Sequence, residues 1–135
     1  MNGYRMMANL LKALAHPIRL QILEVLQTEG EACVCHLEAR LGQRQAYISQ
    51  QLMKLREAGL VIDRREGLNV FYALTHPELG SLIENAKRAT QDLAQKEGIA
   101  LTIPTLRDVN PEDCRCPKCE LKLGLATPLT DKAIR

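Results

Sequence analysis

Five cysteines carry most of the chemistry this sequence offers. Cys33 and Cys35 lie one residue apart in "GEACVCHLEARLG", while Cys114, Cys116 and Cys119 fall within six residues in "NPEDCRCPKCELKL". A C-x-C-x-x-C run on a short turn lets three thiolates converge on one centre, and Pro117 keeps that turn from becoming helical. The run lacks the fourth ligand of a closed tetrathiolate zinc site or an iron–sulfur cluster. As(III), Sb(III), Cd(II), Pb(II), Hg(II) and Zn(II) all accept thiolate ligands, and spacing alone does not choose among them. An odd number of cysteines fits ion ligation or redox sensing in a reducing compartment better than a disulfide framework.

The first pair poses a geometric problem. Residues two apart on a helix point to nearly opposite sides, and Cys33 and Cys35 fall at the start of an expected short helix. Both reach one ion only if the first turn unwinds or never forms, which would couple ion binding to that helix. Thiolates at a helix N-terminus are also favoured electrostatically, so both cysteines are expected to stay reactive at neutral pH. The tail begins about 17 residues before its cysteines and could extend roughly 55 Å. A tail cysteine is therefore expected to complete the site begun by Cys33 and Cys35, in the same or the partner subunit. The competing arrangement is a self-contained tail site.

His16 and His76 each precede a proline at a helix entrance and read as boundary residues. His36 adjoins Cys35 and offers a fourth ligand, although an exposed helical histidine is the expectation. No Gly-rich phosphate loop, nucleophile elbow or H-E-x-x-H motif occurs, and the C-x-x-C of Cys116 and Cys119 lacks the βαβ context of a thiol oxidoreductase. An enzyme and an organic cofactor are not expected.

The elements that position these residues follow from periodicity. A chain of 135 residues, 46% hydrophobic and 25% charged, suffices for one compact domain and a tail. Tyr4, Tyr47, Phe71 and Tyr72 are its only aromatic residues, so the core must be aliphatic, as in a helical domain. Helices are expected over residues 4–14, 17–29, 32–41 and 45–58, with Gly30, Gly42 and Gly59 as stops. The segment "LVIDRREGLNVFYAL" switches to period two around Glu66 and Gly67, a hairpin with a charged tip. A long helix follows Pro77, with Leu79, Leu82, Ile83, Ala86, Thr90 and Leu93 on one stripe. No secretory signal or long apolar run appears, so a soluble cytoplasmic chain without membrane contact is expected.

This order, α-α-α-α-β-β-α, is that of a winged helix-turn-helix domain over residues 1–97, followed by a Cys-containing tail over 98–135. In the fourth helix Ile48, Leu52 and Leu55 should face inward, leaving Ala46, Tyr47, Gln50, Met53 and Lys54 to meet a major groove. Arg64 and Arg65 would stand on the wing. Charge agrees. Over 40–72 six basic residues face three acids, whereas over 16–39 Arg19 stands against four glutamates.

With those residues in view, "LKALAHPIRLQILEVL", the "CVC" and "ISQQLMKLREAGLVIDRREGLNVFYAL" together resemble the ArsR/SmtB family of metal- and metalloid-responsive repressors, over residues 10–96. The resemblance implies a homodimer through the first and last helices, bound to palindromic operator DNA and released by inducer. It places the reading end at 44–51, so Arg44, Gln45, Ala46, Tyr47, Ser49 and Gln50 join Lys54, Arg64 and Arg65 as expected DNA contacts. Family members often carry Ser and Pro at the positions of Arg44 and Ala46, and arsenic-responsive ones often a third cysteine where Glu38 stands. The Asp-x-His pair of the zinc site on the last helix is missing from "THPELGSLIENAKRAT". The function expected is a repressor that releases its operator when cysteine thiolates, drawn from Cys33, Cys35, Cys114, Cys116 and Cys119, bind a thiophilic ion. A repressor of the same fold sensing oxidants or sulfur species is the alternative, and a metal-delivery protein or enzyme built on the tail is the outsider.

Overall fold

A computed structural model describes residues 2–103 together with Cys114 and Cys116. The elements run α1 (Gly3–Leu14), α2 (Pro17–Glu29), β1 (Ala32–Cys33), α3 (Val34–Leu41), α4 (Gln45–Glu57), β2 (Val61–Glu66), β3 (Asn69–Leu74) and α5 (Pro77–Lys96). The three strands form one antiparallel sheet in the order β1-β3-β2.

Local chemistry sets the helix ends. The Asn2 side chain accepts the Tyr4 N–H, and His16 Nδ1 accepts the Ile18 N–H at 3.3 Å, with Pro17 in the first turn of α2. Gly42 closes α3 in the left-handed region at φ 63°, a conformation that costs other residues a steric clash and turns the chain sharply into α4. His16 and His76 are the N-cap residues of α2 and α5, in agreement with their reading as boundaries.

Helical spacing delivers Ile22, Leu23, Val25 and Leu26 of α2, Leu37 of α3, and Ile48, Leu52 and Leu55 of α4 to one buried core, closed by Val61 of β2 and by Leu79 and Ile83 of α5. Each such side chain contributes about 1.5–3 kcal/mol by leaving water. α4 is thereby clamped by its leucine face, as its sequence predicts. A polar tie adds to this: Gln51, buried beside Leu52, accepts the Arg19 Nε–H at 2.8 Å, and Arg19 Nη1 donates to the Ala13 carbonyl.

The sequence places residue 32 in the third helix; the structure does not. Ala32 pairs with Tyr72 and Cys33 with Phe71, making a short strand where a helical turn was expected. Two paired residues are too few for a period-two signal, and the edge of β3 supplies the partner that decides their conformation. The order is thus α-α-β-α-α-β-β-α. The hairpin turn falls at Gly67 and Leu68, one residue later than expected, with Leu68 fully exposed. Cys119, Pro117 and most of the 98–135 tail lie outside the described residues.

Candidate functional site

Because Cys33 sits in β1, its backbone is extended (φ −85°, ψ 167°) and it serves as the N-cap of α3, its Sγ accepting the His36 N–H at 3.4 Å. The helix begins after the cysteine, so no turn need unwind to free the sulfur. Cys114 and Cys116 come back from the tail to meet it. The three Sγ atoms lie within 4.8 Å of one another, and those of Cys33 and Cys114 are 3.5 Å apart. With Phe71 they form a buried cluster separate from the aliphatic core, every member 4% exposed or less. Cys35 packs against this cluster from the first turn of α3, half-buried. Three of the five expected sulfur ligands are thus brought together, Cys35 flanks them, and Cys119 lies outside the described residues.

The electrostatics reverse one expectation. The hydrogen bond to Cys114, and after it burial, push the Cys33 thiol far above its ordinary value; the His36 N–H opposes this and loses. Burial likewise raises Cys35. Without a bound ion these sulfurs are therefore protonated at neutral pH rather than reactive thiolates, because S–H···S contact and loss of water outweigh the N-terminus of an eight-residue helix. A soft cation would have to displace those protons, so its affinity should rise with pH.

The same shift bears on stability. A thiol whose folded value lies above its unfolded one stabilises the fold fully below the unfolded value and loses that contribution as pH rises toward the folded value. For Cys33 the loss begins near the ordinary value of 9.0. Urea midpoints of the ion-free chain should hold steady from pH 7 to 8.5 and then fall, by about 1.4 kcal/mol per pH unit for each such thiol. A Cys33→Ser chain should show a shallower alkaline fall, keeping only the part due to Cys35; an identical fall would show that other groups cause it.

His36 is buried, not exposed as its sequence context suggested. Its Nε2 meets Glu29 Oε2 at 2.5 Å, and the Arg40 Nε lies 3.9 Å from the same carboxylate. Glu29 at the end of α2 thus draws the ring in, and the ring is not one of the converging donors.

The second half of the site is the outer surface of α4 and the wing. Arg44, Gln45, Ala46, Gln50 and Lys54 are exposed along one side of α4, with Tyr47 and Ser49 half-buried beside them. Arg65 is exposed on β2 with no carboxylate partner among the described residues. Arg64 is engaged. It donates through Nε and Nη2 to the two oxygens of Glu31 at 2.9 and 2.5 Å and through Nη1 to Glu66 at 3.0 Å, and its guanidinium carbon lies 4.6 Å from the centre of the Phe71 ring. Sequence reasoning missed Gln51, Glu31 and Phe71 as site-positioning residues. Only Gln51 left a signal, because it falls on the inward stripe with Ile48, Leu52 and Leu55.

An aliphatic-clamped helix after a tight turn, followed by a wing bearing cations, defines the class: winged helix-turn-helix proteins. The family model described as "Bacterial regulatory protein, arsR family" matches residues 16–63, from the cap of α2 into β2. The arsenical resistance operon repressor of Escherichia coli K12 is 41% identical over 90 residues, covering 64% of this chain and 76% of its own. The biofilm growth-associated repressor of Agrobacterium fabrum C58 is 51% identical over 77 residues, 57% of this chain and 65% of that protein's length. HlyU from Vibrio cholerae N16961 superposes with a TM-score of 0.60 at 40% identity over 66% of this chain and 97% of that one; its reduced form gives 0.59 at 41% identity over 64% and 90%. The chain belongs to the ArsR family of bacterial transcriptional regulators, proteins that are not enzymes. No helix among the described residues is long and apolar enough to cross a membrane.

Proposed function

We propose that this protein is a cytoplasmic, homodimeric repressor that leaves its operator when Cys33, Cys114 and Cys116 take up one thiophilic ion. The convergence of those three buried sulfurs carries the reading. A trivalent metalloid, As(III) or Sb(III), suits three thiolates best, since Cd(II), Pb(II) or Zn(II) would draw in Cys35 or another donor as a fourth. The name of the Escherichia coli relative, an arsenical resistance operon repressor, points the same way. Residues 1–97 form the DNA-binding and dimerisation unit in this reading, and 98–135 the tail that brings two ligands. Tyr4, Met6, Met7 and Leu11 of α1 and Leu93 of α5 are exposed apolar side chains that a second copy would cover.

Anisotropy titrations with a labelled duplex selected by the protein from a random-sequence pool, with and without arsenite, test this reading. Arsenite should produce sulfur-to-arsenic absorbance at one ion per chain and release the duplex. If arsenite produces neither, the sulfur cluster has no part in control. Arg65→Ala should weaken binding to all duplexes and flatten the salt dependence by about one unit of slope per half-site contact. Gln50→Ala should instead relax base preference; an unchanged salt slope in Arg65→Ala would remove the wing from the interface.

One distance favours a second reading. Cys33 and Cys114, 3.5 Å apart, could join as a disulfide, each losing one hydrogen to an oxidant such as a peroxide, which is reduced to water. The raised thiols argue against speed, because the thiolate is the nucleophile. A reversible mass loss of two hydrogens accompanied by duplex release, with no effect of arsenite, would favour it over ion binding.

A further inference from the structure

The sulfur cluster and the wing share a residue. Phe71 of β3 is paired on one side with Cys33 and on the other with Arg64, so the three side chains stand on the same side of the sheet. The ring is buried against Cys33, Cys114 and Cys116 beneath, while the Arg64 guanidinium lies over it. Glu31, two residues before Cys33, closes the circuit by gripping that guanidinium with both oxygens.

Resting on the reading of the sulfur site given above, we propose that Glu31 is a positioning residue that holds Arg64 away from the DNA backbone, and that the cluster governs this hold through Cys33. Three donor nitrogens of Arg64 are committed to two carboxylates, so the planar fork that would grip a phosphate is already taken. Arg64, Glu31 and Glu66 together carry a net charge of −1, one positive against two negative, and repel phosphate for as long as the pair lasts. The guanidinium is about half exposed, with a side-chain accessibility of 49%, so a phosphate can reach it once Glu31 lets go.

The hold depends on β1. Glu31 reaches Arg64 only while Ala32 and Cys33 stay paired with Tyr72 and Phe71, a ladder of two residues that is weak alone. An ion shared by Cys33 with Cys114 and Cys116 would fasten β1 in place and with it the carboxylate on Arg64. DNA, by claiming Arg64, would loosen β1 and weaken ion binding by the same factor, as linkage requires. The sulfur signal thereby reaches the wing along the sheet, in addition to any effect through α3.

The test uses the full chain, the selected duplex and arsenite. Without arsenite, Glu31→Gln should bind the duplex about two- to fivefold more tightly with a steeper salt dependence, the effect expected of releasing one exposed ion pair. In an Arg64→Ala background the same substitution should change nothing. An equal gain in that background would mean that Glu31 merely repels DNA, and would overturn the hold; so would no gain in either. With arsenite, the ratio of duplex affinities without and with the ion should shrink in Glu31→Gln while sulfur-to-arsenic absorbance stays intact. An unshrunken ratio overturns the governing role of the cluster. Absence of the absorbance in the unaltered protein overturns the sulfur-site reading and that governing role together, while the hold on Arg64 stands or falls by the ion-free titrations.

Discussion

Cys33→Ser leaves DNA binding by the ion-free chain intact and removes its response to arsenite. Both halves of this expectation follow from the position of one residue. As the N-cap of α3, Cys33 accepts a backbone N–H, and serine is among the best residues for that task, so the helix start should survive or gain. As a ligand, however, it is the one member of the converging set that the DNA-binding domain itself provides; Cys114 and Cys116 come from the tail. A hard hydroxyl that stays protonated cannot replace a thiolate on a soft ion. The loss in arsenite affinity should exceed the roughly 10- to 100-fold that removal of an outer-shell partner costs a metal site. Cys35→Ser, altering a half-buried neighbour outside that set, should weaken binding far less. Absorbance titration and duplex release measured on the same samples decide the matter. If Cys33→Ser retains stoichiometric arsenite and release, Cys33 is a cap and a packing residue only, and the tail sulfurs act without it.

Residues with a repeating signature were legible in the sequence, and residues whose role depends on a distant partner were not. The stripe Ile48, Leu52, Leu55 and the stops at Gly30, Gly42 and Gly59 fix α2, α3 and α4 within about two residues of their observed bounds, because periodicity and left-handed glycine are local physics. The two residues of β1 carry no such pattern; their conformation is imposed by β3, some forty positions on. The meeting of Cys33 with a tail cysteine was foreseeable from ligand counting and chain reach. Its consequence for protonation was not, since burial and a sulfur–sulfur hydrogen bond exist only in the folded chain. His36 and Arg64 share this lesson. Each looks like a surface side chain in the sequence, and each is claimed by a glutamate outside its own element, Glu29 and Glu31. The acidic stretch over 16–39 supplies both of those carboxylates for internal pairing.

Phe71→Ala should be the most destabilising single change near the site, and it should disable the sulfur cluster as it does so. Phe71 is the one phenylalanine of the chain and is 1% exposed, in a small cluster that has no other large apolar member among the described residues. Truncation of a buried phenylalanine removes about 3–5 kcal/mol, a large part of the about 5–15 kcal/mol that holds a domain of this size together. The surrounding atoms have little means of closing the gap, because Cys33, Cys114 and Cys116 bring only short side chains. Water entering the cavity would also ease the burial that, after the hydrogen bond to Cys114, holds the Cys33 thiol protonated, so the fall of stability at alkaline pH should shrink in the variant. On the outer side, Arg64 would lose the ring beneath it. Phe71→Leu separates the roles: it keeps most of the apolar volume and should cost much less stability, yet it abolishes the guanidinium–ring contact. Urea unfolding with an unchanged m-value measures the stability terms, and arsenite titration of both variants measures the site. A Phe71→Ala chain within about 1 kcal/mol of the parent, with arsenite affinity intact, would mean that the sulfurs hold their arrangement without the ring, and that wing and cluster meet at Phe71 without depending on it.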